Sequence, residues 1–216
     1  MSMSQPDVPA RPSRFEQWQL GVVLVFGYLA VLYAVEFVDQ LDQHRLDRHG
    51  IRPLQADGLW GILFAPFLHA GWQHLNANAG AILVLGLVGV FAGLGRFLAA
   101  TAMIWAIGGF GTWLIGGLGS RWPTDHIGAS GVIFGWIAFL ILQGFFGSAP
   151  IGRRLGQIVL GLVVFFFYGA VLWGALPGQP GVSWQGHLCG ALAGALAAFM
   201  LSKRGRPDGR GVPPRV

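Results

Sequence analysis

The chain has 216 residues, of which 54% are hydrophobic and 11% are charged, whereas soluble domains carry about 25% charged residues. This composition excludes an ordinary soluble domain and indicates an integral membrane protein. The net charge of +5 would suit nucleic acid in a soluble chain, but in a membrane protein basic residues first indicate topology. We therefore expect a lipid bilayer as the surroundings and no nucleic-acid partner.

Six stretches are long and apolar enough to cross a hydrocarbon core of about 30 Å, which takes roughly 20 residues. They run at about Trp18–Val38, His74–Gly95, Phe97–Gly119, Ile127–Gly147, Leu155–Leu176 and Trp184–Ser202. The predicted fold is an all-α membrane bundle of six helices over residues 18–202. A polar tail, 1–17, precedes it, and a basic tail, 203–216, predicted to be disordered, follows it. The 35 glycines predict tight packing, because small residues let helix backbones approach closely in lipid.

Between the first two spans lies an apolar stretch, LWGILFAPFLHAGW, that Pro66 and Gly71 interrupt. It is too short to cross a bilayer, so we expect a first loop that is partly inserted in the membrane. Glu36, near the end of the first span, is expected to reach water. Cys189 is the single cysteine of the chain and is expected to act as a small buried hydrophobe.

Basic residues predict the orientation, because arginine and lysine are enriched in cytoplasmic connections. Ten of the fourteen fall in the two tails and in the second and fourth loops. We therefore expect both termini in the cytoplasm, with a bacterial inner membrane as the location. The start of the fourth span then lies toward the outside.

Ser130 opens this fourth span in the string GASG. A polar side chain in a membrane segment faces a bundle interior or a wet cavity, and is a functional candidate for that reason. Gly128 and Gly131 flank the serine, and Gly135 follows one helical turn after Gly131. A glycine face that seats a neighbouring helix explains the string without chemistry. Packing and catalysis are both open on this motif alone.

His187 opens the sixth span, beside a row formed by Gly186, Gly190 and Gly194. Such a row predicts a close helix contact that would bring the imidazole to its partner helix. Alone, a histidine at a helix start can simply hydrogen-bond a loop. Paired with Ser130 at equal depth, it could serve as general base for a hydroxyl that is a poor nucleophile unaided.

His74 and Asn78 open the second span at positions i and i+4, and so project from one side of a helix. Both can donate hydrogen bonds to negative charge developing on a carbonyl oxygen, as an oxyanion site requires. Metal ligation by His69, His74 and His187 lacks a clear fourth ligand and the H-E-x-x-H spacing. We therefore predict no metal and no cofactor. The other histidines fall in loops and are predicted to be surface residues: His44, His49 and His126.

Together, HAGWQHLNAN, GASG and GHLCGALAG resemble, in order and spacing, the motifs of the rhomboid intramembrane serine proteases. The resemblance covers about residues 18–202. It implies a six-helix protease that cuts transmembrane proteins within or beside their membrane helices. By this resemblance Ser130 is the nucleophile and His187 its general base, in a dyad without an acidic third member.

The resemblance also assigns the supporting positions. His74 and Asn78 match the oxyanion pair, which acts with the Ser130 backbone N–H, and His69 matches a structural histidine of the first loop. Two positions depart from the family pattern. Trp60-Gly61 stands where the family often has Trp-Arg, so the loop lacks its usual arginine. Phe134 stands where tyrosine is frequent, and we expect its ring to stack on His187 without the hydroxyl.

Two other functions remain open. A catalytically inactive rhomboid-like protein that binds membrane clients would use the same glycine-packed fold. A small transporter would place polar residues at several depths along a pathway, whereas the polar residues singled out in this chain cluster near one interface.

Overall fold

The computed structural model of the chain describes residues 12–120, 123–146, 150–179 and 181–203. Within these ranges the regular elements are helices, which confirms the predicted all-α class. The helices are α1 (Arg14–Leu41), α2 (Gly61–Phe64), α3 (Trp72–Met103), α4 (Gly109–Ile115), α5 (Ser130–Phe146), α6 (Ile151–Tyr168) and α7 (Trp184–Lys203). A π-helical turn, Ile104–Gly108, joins α3 to α4, and a 3-10 segment, Gly169–Ala175, continues α6.

Four helical stretches are long and apolar enough to cross a membrane: Arg14–Leu41, Trp72–Ile115, Ile151–Ala175 and Trp184–Ser202. The apolar helix Ser130–Phe146 is shorter. The stretch Trp72–Ile115 has 44 residues, or about 66 Å at 1.5 Å per residue, roughly twice a bilayer core. It is broken at Gly93, whose φ of 140° is readily adopted only by glycine. It therefore supplies the second and third predicted spans.

Several boundaries differ from the predicted ones for local reasons. α1 begins at residue 14 rather than 18, because Ser13 and Glu16 form a capping box that starts the helix earlier. The second and third spans divide at Gly93 rather than Gly95, and the third ends at 115 rather than 119. α5 begins at Ser130 rather than 127, because Gly128 has a φ of 109°, which a helix cannot accommodate.

The bundle is packed around α5, which contacts α3, α6 and α7. The closest contact joins α5 to α7 through glycines, as the sequence predicted. A Cβ on Gly190 would overlap the carbonyl oxygen of Gly131, and a Cβ on Gly194 would overlap that of Gly135. The two helix backbones therefore touch directly, which only glycine permits.

The first loop packs onto the bundle by backbone contacts. Ile51 and His126 pair through two backbone hydrogen bonds of 2.9 and 3.0 Å. A Cβ on Gly61 would overlap the backbone of Gly50. The position that often carries arginine in the family therefore has no room for a side chain in this chain.

Glu36 is a correction to the sequence prediction. Its side chain was expected to reach water, but it is 1% exposed. It lies on a buried stripe of α1 that also contains Gly21, Val25 and Leu32, and α1 packs against α3. Because Glu36 is on this buried face, its carboxylate lies inside the bundle.

Three arginines that the charge count assigns to one membrane side lie at one end of the bundle. Arg14, Arg96 and Arg153 line a groove beside the start of α1, the bend of α3 and the start of α6. Ser130 begins α5, whose other end leads to α6. The arginine groove and Ser130 therefore lie at opposite ends of the bundle.

Candidate active site

Ser130 and His187 meet at the first turns of two neighbouring helices. His187 Nε2 lies 2.8 Å from Ser130 Oγ, within ordinary hydrogen-bond distance. The contact follows from the glycine row, because Gly190, one turn after His187 in α7, lies against the backbone of Gly131 in the first turn of α5. Both side chains are half-buried. The sequence-predicted pair is thus brought together by close backbone packing.

Two contacts fix the orientation of the His187 ring. Its Nδ1 lies 2.9 Å from the carbonyl oxygen of Gly174, which can only accept, so Nδ1 carries the proton. Nε2 of the neutral ring is then a free base that faces the serine hydroxyl. Phe134 stacks on the ring at a centroid distance of 4.0 Å and an interplanar angle of 13°. The imidazole is held between a carbonyl and a ring face.

Sequence reasoning missed Gly174. Its contribution is a backbone carbonyl, which leaves no side-chain signature. A Cβ at this position would lie 3.1 Å from Phe134 and 3.3 Å from His187 Nδ1. Glycine therefore lets the carbonyl approach the imidazole closely.

His74 and Asn78 converge on Gly128, two residues before Ser130. A Cβ on Gly128 would lie 2.9 Å from His74 Nε2 and 3.7 Å from Asn78 Nδ2. His74 Nδ1 accepts a hydrogen bond of 3.4 Å from the backbone N–H of Ala70, so Nε2 carries the proton. Asn78 Nδ2 is buried and has no hydrogen-bond partner among the described residues. Two donors are thus available beside the serine.

His69 occupies a buried structural position. Its Nε2 accepts a hydrogen bond of 3.4 Å from the backbone N–H of Ala129, and its ring meets that of His74 edge-on at 5.1 Å. Burial, followed by the nearby His74, lowers the pKa of His69 to about 4. The ring is therefore neutral near pH 7.

His126 is a second correction. The sequence predicted a surface residue, but His126 is buried at 7% exposure. Its backbone pairing with Ile51 places it under the first loop. Its Nδ1 lies 2.5 Å from Ser183 Oγ, and its Nε2 lies 3.2 Å from the carbonyl oxygen of Gly116. Burial lowers the pKa of His126, which favours the neutral ring that these contacts require.

The bond between His126 and Ser183 reaches the helix that carries His187. Since the Gly116 carbonyl takes the Nε2 proton, Nδ1 accepts from the Ser183 hydroxyl. Ser183 Oγ in turn accepts from the backbone N–H of Gly186 at 3.3 Å, and its carbonyl accepts from the His187 N–H at 3.0 Å. His126 is thus linked through one serine to the first turn of α7.

A small cavity lies beside Ser130. Its volume is about 50 Å³, and its lining includes Ala65 and Pro66 of the first loop and His126 and Ile127 of the third. A cavity needs roughly 10–15 Å³ for each water it holds. The space is large enough for a few waters.

Each of the three histidines considered as metal ligands makes a hydrogen bond through one ring nitrogen. The Gly174 carbonyl accepts from His187, His69 accepts from Ala129 and His74 accepts from Ala70.

Comparisons with known proteins identify the family. A family model described as the Rhomboid domain matches residues 56–204. An uncharacterized protein of Mycobacterium tuberculosis (H37Rv) is 57% identical over 190 residues, which are 86% of this chain and 77% of the relative. An uncharacterized protein of Mycobacterium leprae (TN) is 54% identical over 190 residues, 86% of this chain and 73% of the relative.

A protein of Bacillus subtilis (strain 168), provisionally named a rhomboid protease, is 31% identical over 149 residues, 67% of this chain and 69% of the relative. The family model spans more than half of the chain and includes all four polar residues singled out from the sequence. The chain therefore belongs to the rhomboid family.

Proposed function

We propose that this protein is a serine endopeptidase that cleaves transmembrane segments of other membrane proteins. Ser130 is the nucleophile and His187 is the general base. The observation that carries the proposal is the distance of 2.8 Å between His187 Nε2 and Ser130 Oγ, in a chain of the rhomboid family. A hydroxyl and an unprotonated imidazole at this distance are the elements of nucleophilic catalysis.

In the acylation step, His187 Nε2 takes the Ser130 proton while Oγ attacks the carbonyl carbon of the scissile bond. Negative charge then develops on the carbonyl oxygen. His74 Nε2–H, Asn78 Nδ2–H and the Ser130 backbone N–H are the proposed donors to it. The N–H of Ser130 lies in the first turn of α5, where no intrahelical acceptor exists. The tetrahedral intermediate collapses, Nε2 passes its proton to the leaving amine, and an acyl-serine remains.

Deacylation reverses these roles with water as the nucleophile. His187 Nε2 removes a proton from a water in the cavity beside Ser130, and the hydroxide attacks the acyl carbonyl. The same donors stabilise the second oxyanion, and Nε2 returns the proton to Ser130 Oγ. The Gly174 carbonyl accepts the hydrogen bond from His187 Nδ1–H throughout, so Nδ1 stays protonated and Nε2 exchanges protons in both steps.

The substrate is proposed to be a transmembrane helix that approaches the bundle from the lipid. A helix hides its carbonyls in intrahelical hydrogen bonds, so it must unwind locally before one can reach Ser130. Weak helix formers such as glycine and proline near the cut therefore favour cleavage. The arginine groove at the other end of the bundle supports an active site that opens outside, with both termini in the cytoplasm.

Cleavage of tagged single-span proteins in proteoliposomes tests the proposal, with the cut identified by mass spectrometry. The native protein is compared with Ser130→Ala and His187→Ala. The matched controls are Ser202→Ala, near the far end of α7, and His49→Ala, in the exposed part of the first loop. We expect the native protein and both controls to cleave the single-span proteins. We expect both site variants to have lost this activity.

A fluorophosphonate probe separates catalysis from client binding. The expected result is labelling of Ser130 in the native protein and none in Ser130→Ala. If the native protein captures the single-span proteins but neither cleaves them nor is labelled, the proposal is wrong and the protein is a non-catalytic client-binding protein.

A further inference from the structure

Three side chains with metal-binding atoms gather where α1 ends, outside the active site. One ligand atom from each of Asp39, His44 and Asp47 lies within 4.8 Å of the other two. His44 Nδ1 lies 3.3 Å from Asp39 Oδ2 and 3.8 Å from Asp47 Oδ2. The active-site chemistry uses none of them.

The backbone after α1 is folded so that these groups meet. Gln43 and His44 have φ values of 56° and 59°, in the left-handed region that residues other than glycine seldom occupy. The His44 N–H donates to the Asp39 carbonyl at 2.8 Å. The Leu46 N–H donates to Asp39 Oδ1 at 2.7 Å. The turn therefore brings the imidazole back to Asp39 and leaves Oδ2 of that carboxylate available.

Buried carboxylate oxygens in and beside this cluster have no hydrogen-bond partner among the described residues. Asp39 is 2% exposed, and these oxygens include its Oδ2 and the Oδ1 of Asp47. Glu36, one turn earlier on α1, is 1% exposed and contributes its Oε2 to the same group. Burying a charge is costly unless it is paired or coordinates a metal. Of the nearby arginines, Arg45 pairs with Asp42 and Arg52 with Asp57.

The spacing of the ligand atoms fits a metal ion. Zinc binds nitrogen and carboxylate oxygen at about 2.0–2.2 Å, so two ligands on a tetrahedral ion lie about 3.4 Å apart. The observed 3.3 and 3.8 Å from His44 Nδ1 are close to this separation, and the two carboxylates lie within 4.8 Å of each other. Calcium and magnesium prefer oxygen ligands, whereas imidazole with carboxylates suits zinc and its neighbours.

We propose that Asp39, His44 and Asp47 bind a divalent transition-metal ion, with zinc as the best match and water as the fourth ligand. The ion fastens the end of α1 to the segment Leu46–His49. That segment leads to Ile51, which pairs with His126 beside the active site. The site is therefore structural and holds the first loop in place.

Metal binding by the full-length protein in detergent tests this proposal directly. The protein carries no polyhistidine tag, since such a tag binds the same ions, and it is stripped with a chelator before titration. Zinc binding is measured by the metal content of the protein after gel filtration and by the thermal midpoint of unfolding. Cobalt is measured by its visible absorption, which reports coordination geometry. We expect one ion per chain and a higher midpoint with zinc.

His44→Ala is the decisive variant, because it removes the nitrogen ligand of the cluster from a side chain that is 44% exposed. The affinity should fall by more than the roughly 10- to 100-fold that loss of an outer-shell partner causes, and Asp47→Asn should act in the same direction. His49→Ala and Asp42→Asn are the matched controls and should bind as the native protein does. The proposal is overturned if the native protein binds no ion. It is equally overturned if His44→Ala binds as tightly, which would leave His44 as a counter-charge to Asp39 only.

Discussion

Substitution of Gly190 by alanine tests whether helix packing sets the geometry of the active site. The added Cβ would overlap the carbonyl oxygen of Gly131 and lie 2.7 Å from its carbonyl carbon, whereas ordinary contact begins at 3.4 Å. The obstacle is backbone, so the first turns of α5 and α7 must separate by about 1 Å. Overpacking of this kind costs about 1–3 kcal/mol of stability.

The separation acts directly on the proposed chemistry. An increase of about 1 Å in the 2.8 Å distance between His187 Nε2 and Ser130 Oγ takes the pair beyond hydrogen-bond reach. A misplacement of that size can lower a rate by about 10²-fold. Cleavage of a single-span protein in proteoliposomes should fall by that factor, and the thermal midpoint in detergent should fall with it.

Gly80→Ala is the matched control. Gly80 lies within α3, and a Cβ there meets nothing within 4 Å. Alanine is favoured over glycine in a helix by at most about 1 kcal/mol, so this variant should keep the native rate and an equal or higher midpoint. Native rate and midpoint in Gly190→Ala would refute the argument that this glycine contact positions the imidazole.

Three further predictions follow from single contacts. Asn78→Ala should lower kcat by about 10²–10³-fold with little change in thermal midpoint, because Asn78 Nδ2 has no hydrogen-bond partner to lose in the part of the chain that the structure describes. A native kcat would contradict its oxyanion role. His126→Phe should lower kcat more than it raises KM, because it removes the bond to Ser183 that reaches the first turn of α7. His126→Phe and Ser183→Ala share that bond, so the loss in the double variant should be smaller than the sum of the two single losses; additive losses would contradict the link. The unfolded pKa of His69 is about 6.5 and the folded one about 4, so stability should fall by up to about 3 kcal/mol as the pH drops from about 6.5 to about 4. Thermal midpoints across this range should fall less in His69→Gln, and an equal fall would contradict this assignment.

Much of the fold was predictable because the bilayer fixes the length of a span. Six apolar stretches were identified, although one helical stretch runs from Trp72 to Ile115. The break between the second and third spans was expected near Gly95, beside the charged Arg96, and lies at Gly93. Several glycines cluster there, and hydropathy does not reveal which of them adopts a positive φ.

The Ser130–His187 contact was predictable because helical spacing places both glycine rows on faces that can meet. His126 was not, because its neighbours Thr124 and Asp125 are polar and its burial depends on pairing with Ile51, far earlier in the chain. Glu36 could have been assigned correctly from its position on the stripe of Gly21, Val25 and Leu32. The helical period was the relevant signal there, rather than the distance from the end of the span.

A packing role for the glycines and the proposed catalytic role of Ser130 and His187 are compatible in the structure. Where α5 meets α7, the contacts that set their separation are backbone to backbone, and no side chain can rotate to absorb an added atom. Gly190, one turn deeper in α7, then determines the position of His187 in the first turn of that helix. The backbone carbonyl of Gly174 determines the orientation of the His187 ring. Residues without chemistry of their own therefore control the Nε2–Oγ distance as tightly as the two side chains that carry these atoms do.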